Sequence, residues 1–262
     1  FSEGIEVGEE VTVELLRPLQ DIEGTIVANG SHDMTLDVLA NHLRKRHPHL
    51  ALASSNIGSL GGLMALSRGE AHLAGSHLLD EQTGEYNLSF VHRYLGTREI
   101  IILNLVRRIQ GLIIPKDNPK NITSLRDLAR RDITYINRQR GSGTRLLLDF
   151  QLRQLGISPD KVNGYEREEY THLAVAATIA AGRSDIGLGI FSAAKALDVG
   201  FVPLLTEQYD LIIPKEHYET ESIQLLLSTI QNIEFRRDVD ELGGYDTSLT
   251  GSIIAEFPGK RL

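Results

Sequence analysis

The chain contains no cysteine. Disulfides and thiolate chemistry are therefore excluded. It has no apolar run long enough to cross a membrane, no signal-peptide pattern and no low-complexity tract. Basic charge is not in excess either: 27 Lys and Arg stand against 35 Asp and Glu, a formal charge of -8. A general nucleic-acid surface is not expected from that balance, and no helix-turn-helix reader is legible. A small anion is not excluded, because a local pocket can oppose the overall charge. Catalytic signatures are missing as well. There is no G-x-S-x-G elbow and no P-loop lysine. Ser31, His32 and Asp33 are adjacent, whereas triads assemble by contact across a fold.

What is present suffices for two compact domains: 262 residues with 41% hydrophobic content. The organising stretch runs from Arg138 to Gly156, RQRGSGTRLLLDFQLRQLG. Ile133 to Ile136 reads as a strand, Asn137 to Gly143 as a glycine-flanked turn, and Leu147, Phe150, Gln151 and Leu155 follow helical spacing. The first N–H groups of a helix lack intrahelical acceptors, and its dipole favours negative charge there. Ser142 and Thr144 add hydroxyls; Arg138, Arg140 and Arg145 add positive charge. That combination can hold an oxyanion. The same letters also fit a plain helix cap and a Gly-Ser-Gly turn. Repetition of the arrangement elsewhere weighs for the anion.

The chain in order supplies that repetition. Phe1 to Arg17 reads as the tail of a preceding domain, with a half-buried strand at Val11, Val13 and Leu15; Pro18 to Gly24 is a linker. The first residue is Phe1, so a piece of a longer protein is expected. Strands are predicted at Thr25–Ala28, Leu50–Ser54 and Ala71–Ala74, each ending in a small polar loop. Helices with Leu36, Leu39 and Leu43, then with Leu60, Leu63, Met64 and Leu66 inside, follow the first two. Asp80–Leu88 is a surface loop. Glu99–Ile114 is long and apolar, broken by Arg107-Arg108. Later elements are a short helix at Ser124–Arg130, a strand at Val162–Tyr165, a helix from Glu168 through Ala181, a strand at Asp185–Gly189, helices over Phe191–Leu197 and around Ile223–Ile230, and another at Phe235–Leu242. The tail from Gly243 has no legible structure. GLIIPK at Gly111–Lys116 is echoed by DLIIPK at Asp210–Lys215. Strand–helix alternation implies a parallel α/β sheet, with sites at the carboxyl ends of strands. The echo fits an inserted second lobe reached by two crossovers.

NGSHD, SSNIGSLGGLMAL, GEAHLAGSHLLD, INRQRGSGTR and EEYTHLAVAATIAAGRSDIGLG together resemble a periplasmic-binding-protein-like domain of the type II fold, related to the molybdate and tungstate receptors. The resemblance covers residues 24 to 242. It implies a two-lobed α/β architecture with lobe 1 at 24–109 and 206–262 and lobe 2 at 110–205. Glu6 to Leu16 resembles the end of a molybdopterin molybdenumtransferase, implying a fused molybdopterin-biosynthesis domain ahead of residue 23. The implied ligand is a tetrahedral oxyanion, molybdate or tungstate first, sensed or delivered in the cytoplasm for molybdenum cofactor biosynthesis. A transport receptor for an oxyanion, or a site for a molybdopterin-like organic phosphate, stands as the alternative. The fragment is not expected to be catalytic.

The implied site has Ser31, Ser59 and Ser76 on one side and Ser142, Gly143 and Thr144 on the other, with Tyr170 and Thr171 closing over the ligand. His32 and His77 fall beside these loops, as does His172. Arg138 and Arg145 depart from the neutral sites of many receptors; they either meet a larger anion or face solvent. A zinc cluster needs three or four converging ligands, so no metal site and no cofactor are expected. His42, His47 and His49 read as surface positions around a helix end.

Overall fold

A computed structural model describes residues 8–259. In chain order the elements are α1 (Leu19–Glu23), β1 (Thr25–Gly30), α2 (Met34–Arg46), β2 (Ala51–Asn56), α3 (Ser59–Ser67), β3 (Leu73–Ser76), α4 (Leu88–Leu95) and β4 (Glu99–Ile114). Then come β5 (Tyr135–Arg138), α5 (Gly143–Leu155), β6 (Glu168–Glu169), α6 (His172–Ala180), β7 (Ile186–Ile190), α7 (Phe191–Ala196) and β8 (Gly200–Pro214). The chain ends with α8 (Lys215–Tyr218), α9 (Glu221–Ile230), α10 (Ile233–Leu242), β9 (Tyr245–Asp246) and β10 (Ile253–Pro258).

One sheet carries both lobes, in the order β2-β1-β3-β8-β4-β7-β5-β6. Its spine is the antiparallel pair β4 and β8, running from Ile100 opposite Pro214 to Ile114 opposite Gly200 with register shifts between Asn104 and Val106 and between Gln110 and Gly111. At one end of the spine β3 joins β8 through Ala74–Ser76. At the other end β7 joins β4 through Gln110–Ile113. The parallel strands β1 and β2 extend the first lobe, and the parallel strands β5 and β6 extend the second. The tail, whose structure is not legible in the sequence, pairs with β4, β10 against Glu99–Leu103 and β9 against Arg107 and Arg108.

The spine also explains its apolar run. Both faces are covered, so β4 is buried on alternate residues in both directions. Ile100 and Ile102 pack with Leu63, Leu66, Val91 and Leu95 from α3 and α4. Leu103 and Leu105 pack with Leu39, Leu43, Leu226 and Phe235 from α2, α9 and α10. In the second lobe, Leu112 and Ile114 meet Leu147, Leu148 and Leu152 of α5, while Ile113 meets Val175, Ile179 and Ala193 of α6 and α7.

Several expectations are corrected. Val11, Val13 and Leu15 form no strand and are exposed, because no strand pairs with them among the described residues. The expected remnant at Glu6 begins outside the described residues. The linker contains α1. Met64 is exposed on α3 rather than core. His42 is buried, bonded to Asp238 at 2.8 Å and edge-on to Phe235. The expected surface loop runs straight into the unexpected α4. Val162–Tyr165 is a turn, and Glu168-Glu169 is β6, paired with Asn137 and Arg138, so α6 starts only at His172.

Close backbone approach fixes α3 on β1. A Cβ on Gly62 would lie 2.7 Å from Gly30 Cα and 2.9 Å from Asn29 O, whereas one on Gly61 would meet only the Ile57 side chain at 3.2 Å. Gly62→Ala is expected to destabilise by about 1–3 kcal/mol through overpacking. Gly61→Ala is expected to be neutral or to stabilise by up to about 1 kcal/mol through helix propensity. Urea unfolding of both variants checks the contrast, and equal midpoints would contradict the packing.

Candidate functional site

The site is built around a buried ionic chain on the spine. Arg108 of β4 and Glu207 of β8 are register partners. Arg108 Nε donates to Glu207 Oε2 at 2.8 Å, and Arg108 Nη1 donates to Asp33 Oδ2 at 2.5 Å. Asp33 also caps α2, accepting from Thr35 N at 2.8 Å, and accepts from the Tyr245 hydroxyl at 3.1 Å. The other Glu207 oxygen lies 2.7 Å from His77 Nδ1, and His77 Nε2 lies 2.9 Å from Ser31 Oγ. The Gln110 amide, oriented by its surroundings, donates to Glu207 at 2.7 and 2.9 Å and accepts from Thr144 Oγ1 at 3.2 Å. Tyr209 lies under Arg108, 4.7 Å from ring centre to guanidinium, and its hydroxyl donates to Ser31 O. Ser31, Asp33, His77, Arg108 and Glu207 are all buried. Burial opposes the Glu207 charge, but His77 and Arg108 outweigh it and hold the carboxyl below its ordinary range.

The cleft walls are the carboxyl ends of the parallel strands. Ser31–His32, Asn56–Gly58 and Ser76–His77 come from the first lobe; Arg138–Gly143 and Tyr170–His172 come from the second. The walls touch. Asn56 Nδ2 donates to Tyr170 O. A Cβ on Gly58, whose φ is +79°, would lie 2.9 Å from Gly141 O, and one on Gly143 would lie 2.6 Å from His77 Cε1. Only glycine allows that closure.

Arg138 is the unbalanced group. It is 1% exposed and forms no ion pair among the described residues. Its Nε donates to Gln139 Oε1 at 3.2 Å and its Nη2 to Tyr170 O at 3.0 Å, while Nη1 has no partner. Burial first, and Arg108 second, pull its pKa down to about 10, with Glu207 opposing. Beside it, Gln139 Nε2 and both ring nitrogens of His172 are buried without partners. Burial and then Arg138, Arg108, His77 and His32 hold the His172 pKa well below its ordinary value. Buried polar atoms are nearly always bonded. A cation and an imidazole left open in one place form a receptor for negative charge.

The sequence-predicted residues divide. Ser31, His77, Arg138, Gly143 and Thr144 converge at the junction of the lobes. His32 lies at its rim, 3.0 Å from Asp37, and that hydrogen bond raises its pKa against its burial. The other hydroxyls each have a partner within the fold, and Ser59, Ser142 and Thr171 keep their hydrogens free. Ser59 Oγ accepts from His77 N at 3.3 Å, and Ser76 Oγ donates to Asn87 Oδ1 at 2.8 Å. Ser142 and Thr171 cap α5 and α6, accepting from Arg145 N and Ala174 N. Arg145 faces neither ligand nor solvent: it is 5% exposed, donates to Glu168 and lies 4.6 Å over the Tyr165 ring. Tyr170 contributes its carbonyl, and its side chain is 63% exposed. Gln139 was missed, and His172 was placed beside the cleft without being counted in it. Asp33 and Glu207 carried no readable signal, because their partners are remote in sequence. Among the described residues no group of three or more acidic or histidine side chains is placed to hold a metal. A surface depression of about 770 Å³ is lined by Arg107, Arg108, Gln208 and Tyr245. It is open and does not include Arg138 or His172.

Two α/β lobes on a shared two-strand spine, with helix N-termini facing across a cleft, define a binding-protein fold of type II. The chain belongs to the PBP superfamily domain family, whose model matches residues 40–231. It is 37% identical over 227 residues to the uncharacterized protein YvgK of Bacillus subtilis (strain 168), covering 87% of this chain and 73% of that relative. Its fold is similar to a phosphate ABC transporter substrate-binding protein with bound phosphate from Clostridium perfringens, with TM-score 0.62 and 15% identity over 83% of this chain and 97% of that one. It is also similar to an ABC-type phosphate transport receptor from Vibrio cholerae, with TM-score 0.53 and 15% identity over 84% and 98%. These matches tie the chain to neither molybdate nor molybdopterin biosynthesis. The cytoplasmic location expected from the sequence is contradicted by this likeness to ABC-transporter substrate-binding proteins.

Burial lowers the pKa of His77 and His172 alike. As pH falls below about 6.5, the unfolded chain therefore binds protons that the folded chain refuses, and stability is lost by up to about 1.4 kcal/mol per pH unit for each histidine. Asp210 acts oppositely, since burial raises its pKa to about 6 and protonation there favours the folded state. Comparing the parent with His172→Gln cancels Asp210. From about pH 7.5 to about pH 5.5, urea unfolding is expected to show a larger loss in the parent. Equal losses would contradict a neutral buried His172.

Proposed function

We propose that this chain is a ligand-binding domain that closes two lobes, 24–109 with 206–262 and 110–205, over one small anion. The role is that of a substrate-binding receptor for an oxyanion. The observation that carries the reading is Arg138: a buried guanidinium with no ion-pair partner among the described residues and an Nη1 amino group that donates to nothing. The helix N-termini at Gly143 and His172 supply further donors, and both helices run for more than two turns. The phosphate held by a similarly folded protein from Clostridium perfringens supports the same class of ligand. Molybdate and tungstate enter as members of that class, and an organic phosphate as its larger form. The contacting set is Ser31, His32, Arg138, Gln139, Gly143, Thr144 and His172, with His77 held between Glu207 and Ser31 and Arg145 left to Glu168.

Isothermal titration with phosphate, arsenate, sulfate, molybdate, tungstate and a phosphate monoester tests this. At least one is expected to bind, and Arg138→Met is expected to weaken it by about tenfold to a hundredfold, the worth of a charged hydrogen bond. The same variant is expected to raise the stability of the unliganded protein, because an unpaired buried charge is replaced by an apolar chain. No binding by a folded parent, together with a destabilised Arg138→Met, would reject the reading.

A further inference from the structure

The chain Ser31–His77–Glu207 fixes the polarity of the serine. Glu207 takes N–H donors from Arg108 and from the Gln110 amide, so it is a carboxylate with only acceptor oxygens. His77 Nδ1, 2.7 Å away, must therefore carry a hydrogen. A neutral imidazole has one hydrogen, so Nε2 is then an acceptor. Its neighbour at 2.9 Å is Ser31 Oγ, which must donate its only hydrogen to it. Ser31 thus has only lone pairs left for a ligand.

Protonating His77 would reverse this, and the surroundings oppose it. The ring is 1% exposed. Arg108 of β4 and Arg138 of β5 both face it, and the N-terminus of α5 presses on it at Gly143. His172 of α6 adds no negative charge, and Tyr209 of β8 stacks on the ring with its phenol un-ionised. Glu207, the one carboxylate in contact, is already shared with Arg108.

Resting on the anion reading above, we infer that the ligand carries its own O–H hydrogen beside its charge and donates it to Ser31 Oγ. Hydrogen phosphate and hydrogen arsenate have this chemistry, as does a hydroxycarboxylate. Sulfate, molybdate and tungstate lack it at neutral pH and would present bare oxygens to a serine that has none but lone pairs to offer. Ser31 is then the residue that selects between oxyanions, while Arg138 holds them.

Two matched pairs test the inference by isothermal titration at about pH 8, where His77 and His172, with pKa values lowered by burial, are neutral: phosphate against sulfate, and glycolate against acetate. In whichever pair binds, the member with the O–H is expected to be at least about tenfold tighter, and Ser31→Ala is expected to shrink that gap to about threefold or less. Sulfate or acetate binding as tightly as its partner would overturn the inference and leave the anion cleft standing. The same holds for molybdate outbinding phosphate without uptake of a proton, read from titrations in buffers of different ionisation heat. Binding of neither pair nor molybdate to the folded parent would overturn both. The parent alone decides the sign, so a poorly folded Ser31→Ala does not rescue the inference.

Discussion

Arg108 held between Asp33 and Glu207 is the interaction on which the cleft depends. It sits on the spine where one lobe gives way to the other. Asp33 is at once its counter-ion and the cap of α2, so the first loop of the cleft is tied to the hinge by a single carboxylate. Glu207 extends the tie to His77 and, through it, to Ser31. Removing one member of such a buried set leaves another charge stranded, a loss of roughly 3–5 kcal/mol in comparable cases. The expense of burying these charges is offset by placing them: three loops from remote parts of the chain are held in one register.

That network contrasts with Arg138. Both arginines are about 1% exposed, yet one has two carboxylates and the other has none. A fold selected for stability alone would pair or replace the second. Its open N–H, with those of Gln139 and His172, is polarity held ready for something absent from the chain. Closure of the walls at Gly58, Gly141 and Gly143 removes water from around it and strengthens any charge interaction made there.

Much of the fold was legible because it repeats. Each strand with a polar loop and a helix behind it is a local pattern, and β1, β2 and α5 lie within two or three residues of where periodicity puts them. The α/β class followed from that alternation, and its two-lobed form from the GLIIPK and DLIIPK echo and the resemblance. What failed depended on partners. Val11–Leu15 has a strand pattern with nothing to pair against, while Glu168-Glu169 has no strand pattern and is made one by β5. That pairing puts Glu168 on Arg145 and leaves Arg138 open, a choice between two arginines that spacing cannot make. Hydroxyls misled for a related reason. A serine before a helix looks the same whether it caps the helix or binds a ligand, and Ser59, Ser76, Ser142 and Thr171 each hold a partner inside the fold.

The central claim is that Arg138 waits for an anion in the closed cleft. A crystal structure of the protein grown with phosphate tests it most directly. The account predicts an anion within hydrogen-bond distance of Arg138 Nη1 and His172, under the first turn of α5. Arg138 turned out to solvent or onto a carboxylate, with only water between the lobes, would contradict it.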